Sequence, residues 1–204
     1  MPKKKRLARV FLNLPYDSKF ENLFLAYLCA VHAFGMDPQV TLRIPGGKRR
    51  LDRIFELIQS CEYSVHDLSR VQLDRVVPTT PRFNMPFELG LAVAWEKLGR
   101  TQHMWFAMES QNYRLAKSLS DLNGTDPYIH DGTVDGVFRE MGNAFVRKGR
   151  QPSVEQMWST YREVRGKTPA ILHRCGTQNV FQARAFEEIS FAANVAAGEI
   201  VTQN

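Results

Sequence analysis

The chain carries the stretch PRFNMPFELGLA at residues 81–92, in which a polar loop passes into an apolar helix predicted over residues 86–98. Upstream, the apolar segment YSVHD at residues 63–67 predicts a buried strand that ends on Asp67. Open α/β sheets bind ligands at the carboxyl ends of their strands, so Glu88, on the predicted first turn of this helix, lies where such folds place their chemistry. The alternative is that Glu88 only complements the helix dipole and caps Asn84.

The same alternation of strand and helix runs through most of the chain. Strands are predicted over residues 9–14, 40–44, 63–66, 103–108 and 127–130, with helices after each of them, the last two over residues 114–122 and 134–147. Five such units predict a parallel, doubly wound α/β sheet, and right-handed crossovers favour the flavodoxin-like order 2-1-3-4-5. In that order the ligand crevice lies between the first and third strands, over residues 13–17 and 66–70.

The pattern changes near residue 150, which predicts an α/β domain over residues 1–150 and a helical extension over residues 151–204. The segment SVEQ at residues 153–156 is a capping box, and GKTP at residues 166–169 predicts the end of that helix at Arg165. A last helix is predicted over residues 179–199. Its Phe181, Phe186 and Phe191 predict packing on the core or on a second subunit, and we expect a homo-oligomer.

The composition, 44% hydrophobic and 24% charged residues, is that of a soluble globular protein. No apolar run approaches the roughly 20 residues of a membrane span, so we expect no membrane contact. Three scattered cysteines without metal spacing predict reduced thiols, a cytoplasmic location, no metal and no cofactor. The net charge of +6 permits a nucleic-acid partner, a hypothesis that rests on charge alone.

Three motifs carry a family resemblance: FLNLPYD at residues 11–17, HDLSR at residues 66–70 and NMPFELG at residues 84–90. Together they resemble the nucleoside 2-deoxyribosyltransferase-like superfamily, and more closely a bacterial group related to both those enzymes and TIR domains. The resemblance covers residues 7–148. It implies an N-glycosidase or ribosyl-transferring enzyme acting on a nucleotide, nucleoside or NAD-type substrate, with a role in bacterial antiviral defence or signalling. The alternative is a non-catalytic, nucleotide-sensing module that signals to a partner.

The resemblance also implies the site residues. In that family a glutamate at the position of Glu88 attacks the anomeric carbon, and the matching acid for protonating the leaving base is Asp67. Glycosidic cleavage passes through an oxocarbenium-like state that a carboxylate stabilises or traps, and two nearby carboxylates push their pKa values apart. The predicted substrate contacts are Asn13 and Asp17 in the first-strand loop, Tyr16 beside the base, Arg70 and Arg82 toward phosphate, and Asn84 toward a sugar hydroxyl.

Each of these residues has a structural alternative. Asn13 could satisfy backbone groups at the strand end, Asp17 and Asn84 could cap helices, Asp67 could close an Asx-turn with Ser69, and Arg70 and Arg82 could be solvated loop charges. His66 alternates with Val65 within the strand, which favours a satisfied, semi-buried histidine over a general acid. The loop before Glu88 is longer than in the deoxyribosyltransferases, which favours hydrolysis over base exchange.

Overall fold

The computed structural model describes residues 6–43, 49–71, 77–99, 102–146 and 151–202. Its strands are β1 (Arg9–Asn13), β2 (Asp37–Gln39), β3 (Tyr63–Asp67), β4 (Met104–Glu109) and β5 (Tyr128–Ile129). All four strand pairs are parallel, and the order is β2-β1-β3-β4-β5. The predicted fold class and strand order are confirmed, so the switch point lies between β1 and β3.

Seven α-helices accompany these strands within the described residues. They are α1 (Glu21–Ala33), α2 (Arg50–Ser60), α3 (Asn84–Lys97), α4 (Arg114–Ser118), α5 (Val134–Ala144), α6 (Val154–Cys175) and α7 (Ala183–Thr202). A 3-10 turn at Ser120–Leu122 follows α4, which divides the single helix predicted over residues 114–122. None of the described helices has the length and apolar character needed to cross a bilayer.

Strand alternation separates the two faces of the sheet. Val10 and Leu12 of β1, with Val65 of β3, belong to the core cluster that contains α1 and α5. Phe11 of β1 belongs to a second cluster with α2 and α3 residues, including Ile54 and Ala92. Successive side chains of β1 and β3 therefore point alternately to the α1 face and to the α3 face of the sheet.

Helix α1 is buried on every side, with residues 23–32 all shielded from solvent. It packs against α5, α6 and α7 in addition to the sheet region, so it has no face left for water. Phe24 of α1, for example, has its ring centroid 5.1 Å from that of Phe181 and 6.2 Å from that of Phe186. The C-terminal helices thus share one hydrophobic core with the α/β domain.

The phenylalanines of the C-terminal segment are therefore used mainly inside the chain. Phe186 is fully buried and Phe181 packs between Tyr16 and Phe24, whereas Phe191 is 70% exposed. Of the two packing alternatives, the structure shows packing on the core. The homo-oligomer stays a prediction, with less exposed apolar surface to support it than the sequence indicated.

Two element boundaries differ from prediction at the sheet and at the site. The second strand was expected over residues 40–44 but lies at Asp37–Gln39, and residue 44 is outside the described part. Because β2 is an edge strand, Pro38 is tolerated within it. Helix α3 begins at Asn84 rather than residue 86, so Glu88 lies on its second turn. The free N–H groups of the first turn are therefore not what Glu88 contacts.

Helix α6 contradicts the predicted end at Arg165. The capping box at Ser153 and Gln156 is confirmed, but the helix continues through residues 166–169 to Cys175 and ends at Gly176, which has a φ of 69°. Pro169 and a glycine cost a helix interior about 3 and 1 kcal/mol, respectively. Packing against α1 and α7 offsets this cost, with Val164, Thr168 and Ile171 buried along the helix. The Thr168 hydroxyl donates to the Val164 carbonyl at 2.8 Å.

We expect Gly136→Ala to destabilise the protein, because a Cβ at this α5 position would lie 2.0 Å from the carbonyl oxygen of His130. Overpacking of this kind costs about 1–3 kcal/mol or more. The control is Gly142→Ala on the same helix, where nothing lies within 4 Å of the added atom. It should be neutral or stabilising by up to about 1 kcal/mol. Urea denaturation measures both, and equal stability of the two variants would contradict the close approach.

Candidate functional site

The candidate site lies at the carboxyl ends of β1 and β3. Asn13 and His66 are cross-strand neighbours there, and both side chains point to the α3 face. Glu88 of α3 reaches the same place, where it is 3% exposed and hydrogen-bonds the Asn13 side chain. Its second carboxylate oxygen, Oε2, is buried and has no hydrogen-bond partner among the described residues. The structure thus brings Glu88 and Asn13 together and leaves one buried carboxylate oxygen without a hydrogen-bond partner among the described residues.

Burial dominates the electrostatics of Glu88. It raises the pKa of the carboxyl above its usual value, and the Arg50 charge and the Asn13 hydrogen bond lower it only in part. A raised folded-state pKa means that the unfolded chain ionises first, so this group removes stability as pH rises through the two pKa values. A buried carboxylate that costs stability at neutral pH is typical of a functional site rather than of a structural ion pair.

Tyr16 and Arg50 border the same carboxylate. The Tyr16 hydroxyl lies 3.0 Å from the Thr41 hydroxyl, and burial raises its pKa, so the phenol stays protonated. The Arg50 guanidinium lies 6.0 Å from the centre of the Tyr16 ring. Arg50 was not predicted as a site residue, although it belongs to the basic run KRR at residues 48–50. The signal that would have singled it out is its place at the start of the helix beside the crevice.

Asp17 gathers the two predicted arginines. Its carboxylate accepts from Arg70 at 3.3 Å through each oxygen and from Arg82 at 3.1 Å. It also accepts from the backbone N–H of Lys19 at 3.1 Å. Both arginines are partly exposed, so one carboxylate holds two guanidinium groups at the surface. The group carries a net charge of +1 and joins the loops after β1 and β3 to the segment before α3.

Asp67 lies on the other face of the sheet from Glu88. It is fully buried, its Oδ1 accepts from the Ser69 N–H at 2.8 Å, and its Oδ2 accepts from the Tyr27 hydroxyl at 2.8 Å. The Nε2 of His130 lies 3.1 Å from the same Oδ2. Alternation in β3 places Asp67 with Val65 on the α1 face and opposite to His66. The predicted Asx-turn with Ser69 is present, and the predicted pair of neighbouring carboxylates is not.

Asn84 is exposed at the first position of α3, and the position before the helix is occupied by Phe83 with no side-chain cap. The alternative role of Asn84 as a helix cap is therefore not observed. It lies one turn before Glu88 on the same side of the helix, as expected for four-residue spacing.

A chain of buried polar groups extends from Asn13 away from the crevice. His66 lies 2.9 Å from Asn13 on one ring nitrogen and 2.9 Å from the Ser64 hydroxyl on the other. The hydroxyl in turn lies 2.9 Å from His103, whose second ring nitrogen contacts the Cys61 carbonyl at 2.9 Å. His66 is therefore a satisfied, buried histidine, as its alternation with Val65 indicated. Ser64 and His103 were not predicted, since neither stands in a motif.

Within the described ranges, no group of three histidine, cysteine, aspartate or glutamate side chains could hold a metal ion. Comparison with protein-family models gives no match, and comparison with curated proteins gives none either.

We expect Tyr27→Phe to lower the free energy of unfolding by about 1–3 kcal/mol, because it leaves a buried Asp67 oxygen with one donor fewer. The matched control is Tyr161→Phe, since Tyr161 is also a largely buried tyrosine but its hydroxyl makes no hydrogen bond to the described residues. Thermal or urea unfolding at neutral pH measures both. Equal losses for the two variants would contradict a structural role for the bond between Tyr27 and Asp67.

Proposed function

We propose that the protein is an N-glycosidase or ribosyl-transferring enzyme that cleaves the base–sugar bond of a nucleotide, nucleoside or NAD-type substrate. The observation that carries the proposal is Glu88: a buried carboxylate at the β1/β3 switch point with one oxygen free of partners among the described residues. Because Oε2 makes no hydrogen bond to the described residues, a substrate that opened this buried place would meet a carboxylate oxygen with no donor to displace.

In the proposed reaction, Glu88 Oε2 attacks the anomeric carbon as the bond to the base breaks, and the bonding electrons leave with the base. The product is a glycosyl ester on Glu88, which water or another acceptor then attacks at the anomeric carbon to restore the carboxylate. The Asn13 side chain hydrogen-bonds the carboxylate, and in the proposed reaction this contact orients Oε2, which has no partner of its own among the described residues. The reaction needs the ionised carboxylate, so base release should increase as pH rises through the raised pKa of Glu88.

The position of Asp67 limits which substrates within the proposed class are favoured. The proposed reaction does not use Asp67 as the acid for the leaving base, because its carboxylate lies on the opposite face and both of its oxygens already accept hydrogen bonds. A leaving group that needs no proton is then favoured. Nicotinamide fits, since it leaves as a neutral molecule from a cationic ring. Within the proposed class we therefore favour an NAD-type substrate over an ordinary purine nucleoside.

The group formed by Asp17, Arg70 and Arg82 supports a phosphorylated substrate. Arginine guanidinium groups match phosphate oxygens in geometry, and these two already converge on one carboxylate at the crevice. In the proposed complex a phosphate group competes with Asp17 for the two guanidinium groups.

The sequestered Asp67 also supports a second candidate, a crevice that binds a nucleotide signal without cleaving it. In that case the message would pass to α6 and α7, because Phe181 packs directly against Tyr16 with ring centroids 5.6 Å apart. The two candidates differ in a single observable, the release of free base from a bound ligand.

We expect Glu88→Gln to lower base release by at least about 10²–10⁴-fold, because the amide keeps the shape of the side chain and loses the nucleophilic charge. The assay incubates the protein with NAD, a purine nucleotide and its nucleoside, and detects free base by chromatography. The control is Glu96→Gln on the same helix, whose carboxylate accepts from the Trp105 indole at 3.0 Å. It should retain activity.

The stability of Glu88→Gln separates chemistry from folding. Removing a buried charge whose pKa is raised should leave the melting temperature at neutral pH unchanged or higher. Full activity in this variant would exclude the nucleophile role. Binding of one of the three ligands by the wild type without any base release would replace the enzyme with the sensing module.

A further inference from the structure

We propose that His66, Ser64 and His103 are positioning residues that fix the orientation of the Asn13 carboxamide and thereby hold Glu88 as a carboxylate. The structural part of this inference stands on the buried hydrogen bonds alone, and its catalytic consequence rests on the proposed function. No hydrogen bond joins any of the three side chains to Glu88 among the described residues, so each acts through Asn13.

The three residues form one continuous path through the α3 face of the sheet. All are 2% exposed or less, and every link from the Cys61 carbonyl to Asn13 measures 2.9 Å. Buried polar groups without partners are costly, so a path in which each ring nitrogen and the hydroxyl is paired is strongly constrained.

The donor and acceptor roles along the path are all fixed by the Cys61 carbonyl at the end opposite to Asn13. The Cys61 carbonyl only accepts, so His103 must carry its proton on Nδ1 and, being neutral, accept at Nε2. The Ser64 hydroxyl then donates to His103 Nε2 and accepts from His66 Nε2–H. His66 Nδ1 is left as an acceptor, and Asn13 must turn its nitrogen, not its oxygen, toward it.

The orientation of Asn13 matters because its NH₂ group has two hydrogens. One is donated to His66, and the other is free to be donated to the Glu88 carboxylate. The reversed amide would direct its oxygen at this position and could not donate through it. The path therefore selects the amide orientation that stabilises the negative charge of Glu88 in a buried place.

The other ionisable groups around Glu88 and along the path keep their protonation states at neutral pH. Arg50 at the start of α2 favours the carboxylate, and Tyr16 after β1 is a protonated phenol. Burial lowers the pKa of His66 to about 3 and lowers that of His103 as well. Both imidazoles are therefore neutral at neutral pH, so the hydrogen-bond direction is fixed there.

The first test needs no variant. Long-range ¹⁵N–¹H NMR spectra of the wild-type protein at neutral pH should show His66 protonated on Nε2 and His103 protonated on Nδ1. His66 protonated on Nδ1 would overturn the inference, because Asn13 would then have to present its oxygen.

The second test measures Glu88 directly, by ¹³C NMR titration of its carboxyl carbon, identified by its loss in Glu88→Gln. Ser64→Ala breaks the path, and we expect the pKa of Glu88 to rise by about one unit, the effect of weakening one charge-assisted hydrogen bond. Ser64→Thr keeps the hydroxyl and should restore the wild-type value.

The matched control is Ser190→Ala. Ser190 is also a buried serine paired with a buried histidine, His32, at 2.9 Å, but the pair joins α1 to α7 and lies outside the path. It should leave the pKa of Glu88 unchanged. Equal shifts for Ser64→Ala and Ser190→Ala, or no shift in either, would overturn the positioning role.

Activity is read separately from the titration. If the proposed function holds, the acid limb of the pH–rate profile in Ser64→Ala moves up with the pKa of Glu88. A shifted pKa in a protein that releases no base would support the positioning path and refute the enzyme. If base release depends on Glu88 but the pKa of Glu88 is unshifted in Ser64→Ala, the enzyme is supported and the positioning path is refuted.

Discussion

The complete burial of helix α1 is the constraint on which the rest of the structure depends. A helix that is apolar on all sides cannot face water, and the sheet covers only one of its sides. Helices α5, α6 and α7 supply the rest of the cover, which explains why α6 continues through Pro169 instead of ending near it. The same packing buries Tyr27 of α1, whose hydroxyl bonds Asp67 and so anchors the end of β3.

Strand β3 divides its polar side chains between two tasks through simple alternation. Asp67 points to the α1 face, where Tyr27, Ser69 and His130 surround it in the core. His66, the residue before it, points to the α3 face and joins the path that ends at Glu88. Adjacent residues of one strand therefore support the fold and the candidate site, respectively.

Much of this organisation could be predicted from the sequence, and the failures have physical reasons. The strand order and the crevice follow from alternating elements and right-handed crossovers, and the assignment of Glu88 follows from its place near the start of an apolar helix. Asp67 was assigned to the crevice because it ends a strand, although its alternation with His66 already placed it on the opposite face. Pro169 and Gly166 wrongly indicated a helix end, because local helix propensity takes no account of the tertiary packing of α6 against α1. His103 is distant in sequence from the residues of the crevice, and it is connected to them only through its hydrogen bond with Ser64.

The account depends most on Glu88 acting as a nucleophile, and intact-protein mass spectrometry with a 2′-fluorinated substrate analogue tests this directly. An electron-withdrawing fluorine beside the anomeric carbon disfavours the oxocarbenium-like state and slows release of the sugar from the enzyme. The account predicts an added mass equal to the fluorinated analogue less its leaving base, mapped to the peptide that contains Glu88 and absent in Glu88→Gln. Base release from the wild-type protein with no adduct on that peptide, or an adduct that persists in Glu88→Gln, would contradict it.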